Sequence, residues 1–364
     1  MFPYIKIIFF LVLCSLLVSC GFKDIDKRSF VVTIGIDKPE NKEEGYDISL
    51  KIALPSSDPK TQGEEFIIHT ETARTVSEAV RLIKAKSGNE LDFGHMKMIV
   101  FGEKLLQEDI TQIMDWFTRR RDIQKIAFVG SGKPTAKAIL ELKPKGERLP
   151  SNKLFLFFGE TGTESPYVTT NYLFHFYRNL MDRGIDPYLP IIETKNEEFE
   201  ITTMSVLKNG KNAIVLDKEE TKTFNVLNRE YDKVNLKIEQ ENIYFMLSVD
   251  SISAEYTIVE TKNIPYIEYD VNIKGIIEES LQQLDNTKID EYSKMVEDVF
   301  TTEIQNLLEK FQEKSVDPMG FGLRYRATHN GTEEAKWKKW QSIYPALQFR
   351  VKVQTDIKST GIIE

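Results

Sequence analysis

Tyr266-Ile267-Glu268-Tyr269-Asp270-Val271-Asn272-Ile273-Lys274-Gly275-Ile276 alternates apolar and polar side chains, the pattern of a strand with one packed face and one wet face. Three more period-two runs precede it, at 233–239, 242–250 and 254–260, separated by polar turns. Strands joined this closely form a meander, so the sheet is expected to be mostly antiparallel. Downstream, 290–314 is the clearest helix, with Met295, Val299, Phe300, Ile304, Leu307, Leu308 and Phe311 on one stripe that would cover the sheet. Asp317-Pro318-Met319-Gly320-Phe321-Gly322 breaks it. A helix over 332–343 puts Trp337, Trp340 and Ile343 on one face among Lys336, Lys338 and Lys339; ordinary burial is preferred over a membrane-surface contact. The last strand alternates as Leu347, Phe349, Val351, Val353 and Ile357.

Upstream, strands at 201–207 and 213–216 flank Asn209-Gly210, a pair suited to the positive φ of a tight hairpin turn. Asp217-Lys218-Glu219-Glu220 then caps a helix to about residue 226. The first half reads differently. A buried strand at 30–36 turns into the alternating 46–54, whose polar face is expected to meet water, and 66–70 adds a third strand. Thr75-Val76-Ser77-Glu78 is a capping box opening a helix that ends near Gly88. A strand between Gly94 and Gly102, a helix over about 109–119 and a strand at 126–129 follow. Ser165-Pro166 suggests a helix start running to Arg183, with Gly184 as terminator.

Several local features invite chemistry and are read as structure. Gly130-Ser131-Gly132-Lys133-Pro134-Thr135 looks briefly like a phosphate loop, but Ala127 stands where the first Gly belongs and Pro134 where Ser or Thr would bind magnesium. Arg119-Arg120-Arg121 suits a solvated helix C-terminus. The aromatics Tyr167, Tyr172, Phe174, Phe176 and Tyr177 suit a core or interdomain face. His69, His95, His175 and His329 are scattered, and no metal or cofactor is expected.

At the N-terminus, Lys6 precedes an apolar run from Ile7 to Val18, which ends in Leu17-Val18-Ser19-Cys20 and gives way to Gly21-Phe22-Lys23-Asp24. This is the layout of a secretory signal. The run is shorter than the roughly 20 apolar residues a spanning helix needs. Leu-x-Ser before Cys resembles a bacterial lipobox, with cleavage between Ser19 and Cys20 and a diacylglycerol thioether, with N-acylation, on Cys20. The only other cysteine, Cys14, is lost with the signal, so the mature chain has no disulfide. The expected organisation is a signal peptide at 1–19, a tether at 20–29, an N-terminal α/β region at 30–195 that splits near 144–165, and a C-terminal α+β region at 200–364. The charged stretch 193–200 marks the boundary. With 364 residues, 41% hydrophobic and 29% charged, the chain is large enough for two or three domains. A net charge of −8 argues against nucleic acid and gives no broad attraction to anionic lipid, leaving the anchor as the membrane link.

Taken in order, these pieces resemble the C subunit of spore germinant receptors, the Ger(x)C lipoprotein family. The matching residues are Cys20, Val32-Thr33-Ile34-Gly35-Ile36-Asp37, Gly94-His95-Met96-Lys97, Val100-Phe101-Gly102-Glu103 and Arg120-Arg121-Asp122. Further along they are Asp217-Lys218-Glu219-Glu220-Thr221, the break at 317–322 and Trp337-Lys338-Lys339-Trp340. Relatives often open with a Trp-Asp-Arg-Arg-Glu-like run, where this chain has Gly21-Phe22-Lys23-Asp24-Ile25-Asp26. The resemblance implies a palmitate-bearing lipoprotein on the outer face of the spore inner membrane, working with integral-membrane A and B subunits in a nutrient receptor. It also implies three mixed α/β domains, a multi-domain α+β body with largely antiparallel sheets. The expected role is a non-catalytic subunit. The alternative, a substrate-binding lipoprotein of a transporter, would need two parallel α/β lobes. An enzyme is not expected, because Gly-x-Ser-x-Gly and His-Glu-x-x-His motifs are absent.

Overall fold

The computed structural model describes residues 27–40, 44–54, 66–145, 152–158, 165–228, 234–240, 242–261 and 265–359. Cys20, Ser19 and the signal lie outside them, as does most of the expected split at 144–165.

The larger sheet holds β1 (Arg28–Asp37), β2 (Tyr46–Ala53), β3 (Phe66–Ala73), β4 (Glu90–Asp92), β5 (Met98–Gly102), β6 (Phe128–Lys133), β7 (Tyr188–Lys195), β8 (Glu198–Lys208) and β9 (Lys211–Leu216). Its order is β3-β2-β1-β5-β6-β7-β8-β9, with β4 also on β1. The centre, β1-β5-β6-β7, is parallel, and the hairpins on either flank are antiparallel. Helices α1 (Val76–Ser87), α2 (Thr111–Arg119), α3 (Ala136–Glu141), α4 (Asn152–Leu156) and α5 (Leu173–Met181) belong to this half. One apolar core joins β1 and β2 to α1, α2 and α5, and another joins β5 to α3 and Leu154 of α4.

Both faces of the sheet are therefore covered, which corrects the expectation for 46–54. Ser49 and Lys51, on the face expected to be wet, are fully buried. Ser49 Oγ lies 2.9 Å from Thr70 Oγ1, and the Lys51 ammonium sits 4.0 Å above the Phe66 ring. The strand expected from Gly94 begins only at Met98, and the one expected to end at Val129 continues through Gly130 to Lys133. The helix expected from 166 begins at Leu173 instead. Residues 166–167 make only a turn, closed by Val168 N on Ser165 O (3.0 Å), and the chain just before the helix is held by sheet partners: Asn171 O accepts from Val129 N (3.0 Å) and the Asn171 amide donates to Tyr188 O (2.7 Å).

The charged stretch 193–200 is the tip of the β7–β8 hairpin, with Asn196 (φ 51°) and Glu197 (φ 62°) supplying the left-handed turn. The chain thus crosses from one half to the other inside a continuous sheet. At the next tip Asn209 and Gly210 take φ of 51° and 73°, as their sequence predicts.

The smaller sheet is β10 (Val234–Gln240), β11 (Ile243–Val259), β12 (Tyr266–Ser280) and β13 (Gln348–Ile357), in that order. The first three form the predicted antiparallel meander, and β13 joins parallel to β12. The runs 242–250 and 254–260 are one strand, because two register shifts absorb the break in periodicity without a turn. Helices α6 (Lys218–Asn228), α7 (Ile289–Glu313), α8 (Phe321–Thr328) and α9 (Glu333–Ile343) complete this half. Along α7 the buried stripe is Tyr292, Val296, Phe300, Ile304, Leu307, Leu308 and Phe311, with Met295 and Val299 at its margin. Each such side chain contributes about 1.5–3 kcal/mol relative to exposure. The same core takes in Met204, Val206 and Leu216 from the larger sheet, so the two halves share it. Antiparallel pairing predominates, and the body is the mixed α/β architecture expected.

Candidate functional site at the joint between the halves

Two of the places where buried polar groups gather are joints of the fold. The first lies at the C-terminal ends of β1, β5 and β6. Asp37, the last residue of β1, accepts from Ala136 N (2.8 Å) and Lys137 N (2.9 Å), while Thr135 Oγ1 accepts from Ala138 N (3.0 Å). Burial pushes the Asp37 carboxyl up, against the pull of those two amides. The amides that a phosphate would need at the start of α3 are thus held by the chain's own carboxylate and hydroxyl. Gly130 to Lys133, which look like a loop in sequence, are strand β6 itself. Asp37→Ala should destabilise the chain by about 1–3 kcal/mol, the cost of leaving buried donors unmet. Denaturant unfolding would measure it, and an unchanged midpoint would refute this role.

The second position is a cavity of about 460 Å³ between the loop after α5, the end of β8 and the segment from Asp317 through α9. Asp186 and Asp317 organise it. Asp186 N donates to Asp317 O (2.9 Å), and Asp317 N donates back to Asp186 Oδ2 (2.7 Å). Lys208 Nζ, at the end of β8, donates to the same Asp186 oxygen at 2.9 Å. The Asp317 carboxylate turns the other way and accepts from Phe321 N (3.0 Å) and Gly322 N (2.7 Å), holding the start of α8. Asp317 is buried, and desolvation pushes its carboxyl up to about 7 despite those amides.

Close backbone approach completes the joint. Leu323 N donates to Gly184 O at 2.7 Å, and Arg326 Nη1 donates to Arg183 O at 2.5 Å. Gly184 takes φ +91°, and a Cβ there would fall 2.5 Å from the Gly322 carbonyl carbon. A Cβ on Gly322 would in turn strike the Trp340 indole. Trp340 is buried between Tyr325 and Tyr344, at ring separations of 5.3 and 5.2 Å, so the Trp337/Trp340 face is largely core.

Chemically, the arrangement binds one half to the other. Each of these carboxylate oxygens faces a backbone amide or Lys208. No cluster of three or more His, Cys, Asp or Glu suited to a metal occurs among the described residues. No described helix is long and apolar enough to cross a membrane.

The remaining features singled out in sequence are dispersed. Asp217 and Glu220 form a reciprocal capping box (2.9 Å each way), and Glu220 also pairs with Lys310 of α7 at 2.7 Å. Of the arginine triplet, Arg119 pairs with Asp115 (2.9 Å) and Arg120 with Asp122. His329 stacks on Tyr325 at 3.9 Å, and His95 meets Phe30 edge-on at 5.1 Å. Asp186 and Lys208 were not legible as important in sequence, because their partners lie far along the chain, and Gly184 was visible only as a helix terminator. Asp317 was visible only as a helix break.

Comparison with known proteins bears on this geometry as a whole. Residues 21–194 match a family model described as spore germination protein N-terminal domain, and 202–361 match spore germination B3/GerAC-like, C-terminal. The chain is 23% identical to spore germination protein GerQC of Bacillus cereus, over 98% of this chain and 99% of that one. Spore germination protein B3 of Bacillus subtilis (strain 168) is 20% identical, with 96% of each chain covered. The crystal structure of the GerBC protein superposes with a TM-score of 0.59 at 14% identity, covering 89% of this chain and 96% of that one. A joint that draws on residues 183–186, 208 and 317–340 requires both matched regions together, and with both present in order the chain belongs to the GerAC-like family of spore germination proteins.

Proposed function

We propose that this protein is the lipid-anchored, non-catalytic C subunit of a nutrient germinant receptor, held at the outer face of the spore inner membrane beside integral-membrane A and B subunits. The observation that carries this reading is the family match across 21–361, beginning immediately after the lipobox-like Leu17-Val18-Ser19-Cys20. A diacylglycerol on Cys20 with a further acyl chain moors the body firmly, where a single chain would give only marginal attachment. Confinement beside its companions raises their effective concentration, so direct contacts need not be strong. The inward-facing polar groups at the joint support a scaffolding role over a reactive one.

Cys20→Ala should move the protein from the membrane fraction to the soluble fraction of spores and weaken the nutrient response. Co-purification of the anchored wild-type protein from spore membranes should bring down two polytopic partners. Unchanged fractionation of the variant would remove the anchor, and recovery of transporter components alone would replace this reading with that of a substrate-binding lipoprotein.

A further inference from the structure

The edge of the larger sheet where β1, β5 and β6 begin is a continuous rim. Lys97 N donates to Val32 O (2.9 Å), Phe128 N to Lys97 O (2.7 Å), Leu173 N to Ala127 O (2.8 Å) and Phe174 N to Lys125 O (3.0 Å). Gln124 Nε2 ties the rim to Gly94 O at 2.7 Å. Because the three strands are parallel, their starts fall on the same edge, and the end of α2 with Arg121 leads into it.

Two large apolar side chains stand out from this rim, Ile126 at 58% and Phe174 at 43% of full exposure. Behind them runs a ladder of rings: Phe174 on Tyr172 (5.9 Å), Tyr172 on Phe128 (5.1 Å), and Phe128 on Phe158 (5.4 Å). Leu156, 47% exposed, lies two residues before the last of these rings. The acidic groups nearby are neutralised: Asp92 pairs with Arg28, Asp122 with Arg120 and Glu90 with Lys84. Lys97 and Arg121 are exposed and form no ion pair among the described residues, so the rim carries local positive charge on a chain of net −8. An exposed aromatic and an aliphatic side chain flanked by cations suit a membrane interface with anionic headgroups.

Chain length points the same way. Only six residues lie between Cys20 and Lys27, which directly precedes β1, and the seven steps from one to the other span at most about 25 Å. We propose that this rim rests on the anionic lipid surface, with Phe174 and Ile126 entering the headgroup layer and Lys97 and Arg121 facing lipid phosphates. This inference rests on the anchor at Cys20 proposed above, and it sets the orientation of the body: strand starts toward the bilayer, Asp37 and the start of α3 away from it.

The test uses the full lipid-modified chain in vesicles of phosphatidylcholine and phosphatidylglycerol with brominated acyl chains. Phe174→Trp should add fluorescence that the bromolipid quenches, and Leu281→Trp, at a 75% exposed position just past the end of β12, should add fluorescence that it does not. Lys97→Glu combined with Arg121→Glu should abolish the extra quenching that anionic lipid brings over phosphatidylcholine alone. Vesicle-bound protein without quenching at position 174 overturns the rim contact and leaves the anchor standing. A chain that stays off the vesicles overturns both. Protection at position 174 that appears only when polytopic spore-membrane proteins are added also overturns the lipid contact, in favour of a protein partner.

Discussion

Gly184→Ala is expected to cost more than about 3 kcal/mol of stability and to loosen the two halves from each other. Two effects coincide there. A residue with a Cβ at φ +91° carries strain of about 1–3 kcal/mol. The added carbon would also stand 2.5 Å from Gly322 C and 2.6 Å from Leu323 N, both backbone atoms that cannot rotate aside. Relief requires α8 to retreat, which breaks the bond from Leu323 N to Gly184 O and disturbs the packing of Gly322 on Trp340. Gly88→Ala is the matched control, because that glycine has φ +71° and nothing within 4 Å of an added Cβ. Denaturant unfolding of both variants separates strain from collision. Equal losses at the two positions would show that the close approach at the joint contributes nothing.

The second large effect concerns Asp317 and pH. Its carboxyl is pushed above the ordinary 3.8 to about 7 in the folded chain, so folding favours the protonated form. That contribution is complete below about pH 3.8 and disappears as pH rises through about 7. At about 1.4 kcal/mol for each pKa unit, the change across this window is on the order of a few kcal/mol. Asn cannot ionise, and its NH2 would face one of the two amides that Asp317 now accepts, at a cost of about 1–3 kcal/mol. Asp317→Asn should therefore be less stable than wild type near pH 4 and lose that disadvantage as pH rises toward 7.5. Asp37 shifts the same way in both proteins, so the difference between their profiles isolates Asp317. Parallel profiles would refute the assignment.

The joint explains why one chain with two differently built sheets holds a single arrangement. The β7–β8 hairpin keeps the expected boundary inside the larger sheet, α6 and α7 share a core with β8 and β9, and Asp186 and Asp317 lock the loops through one backbone bond and one backbone-to-carboxylate bond. The polar groups engaged there are spent on holding the halves together. A body so braced is suited to presenting a fixed surface.

Local sequence alone determined the antiparallel meander, though not that β11 is one strand, the α7 stripe, the Asn209-Gly210 turn and the capping boxes at Thr75 and Asp217. Each depends on residues within a few positions of one another, where local propensity and tertiary packing agree. The apolar run ending at Leu17-Val18-Ser19-Cys20, too, is read from adjacent residues and sets the expectation of an anchor. Only the tertiary structure decided that Ser49 and Lys51 are buried, that the helix after Pro166 starts at Leu173, that 193–200 is a turn inside a sheet, and that β13 lies parallel to β12. The physical reason is the same throughout. A polar side chain or a backbone amide accepts burial when its partner is supplied from elsewhere, and Asp186 with Asp317, 131 residues apart, or Asp37 with Ala136, 99 apart, cannot be paired by spacing. Position along the chain tells which groups need partners, and the fold alone brings those partners within reach.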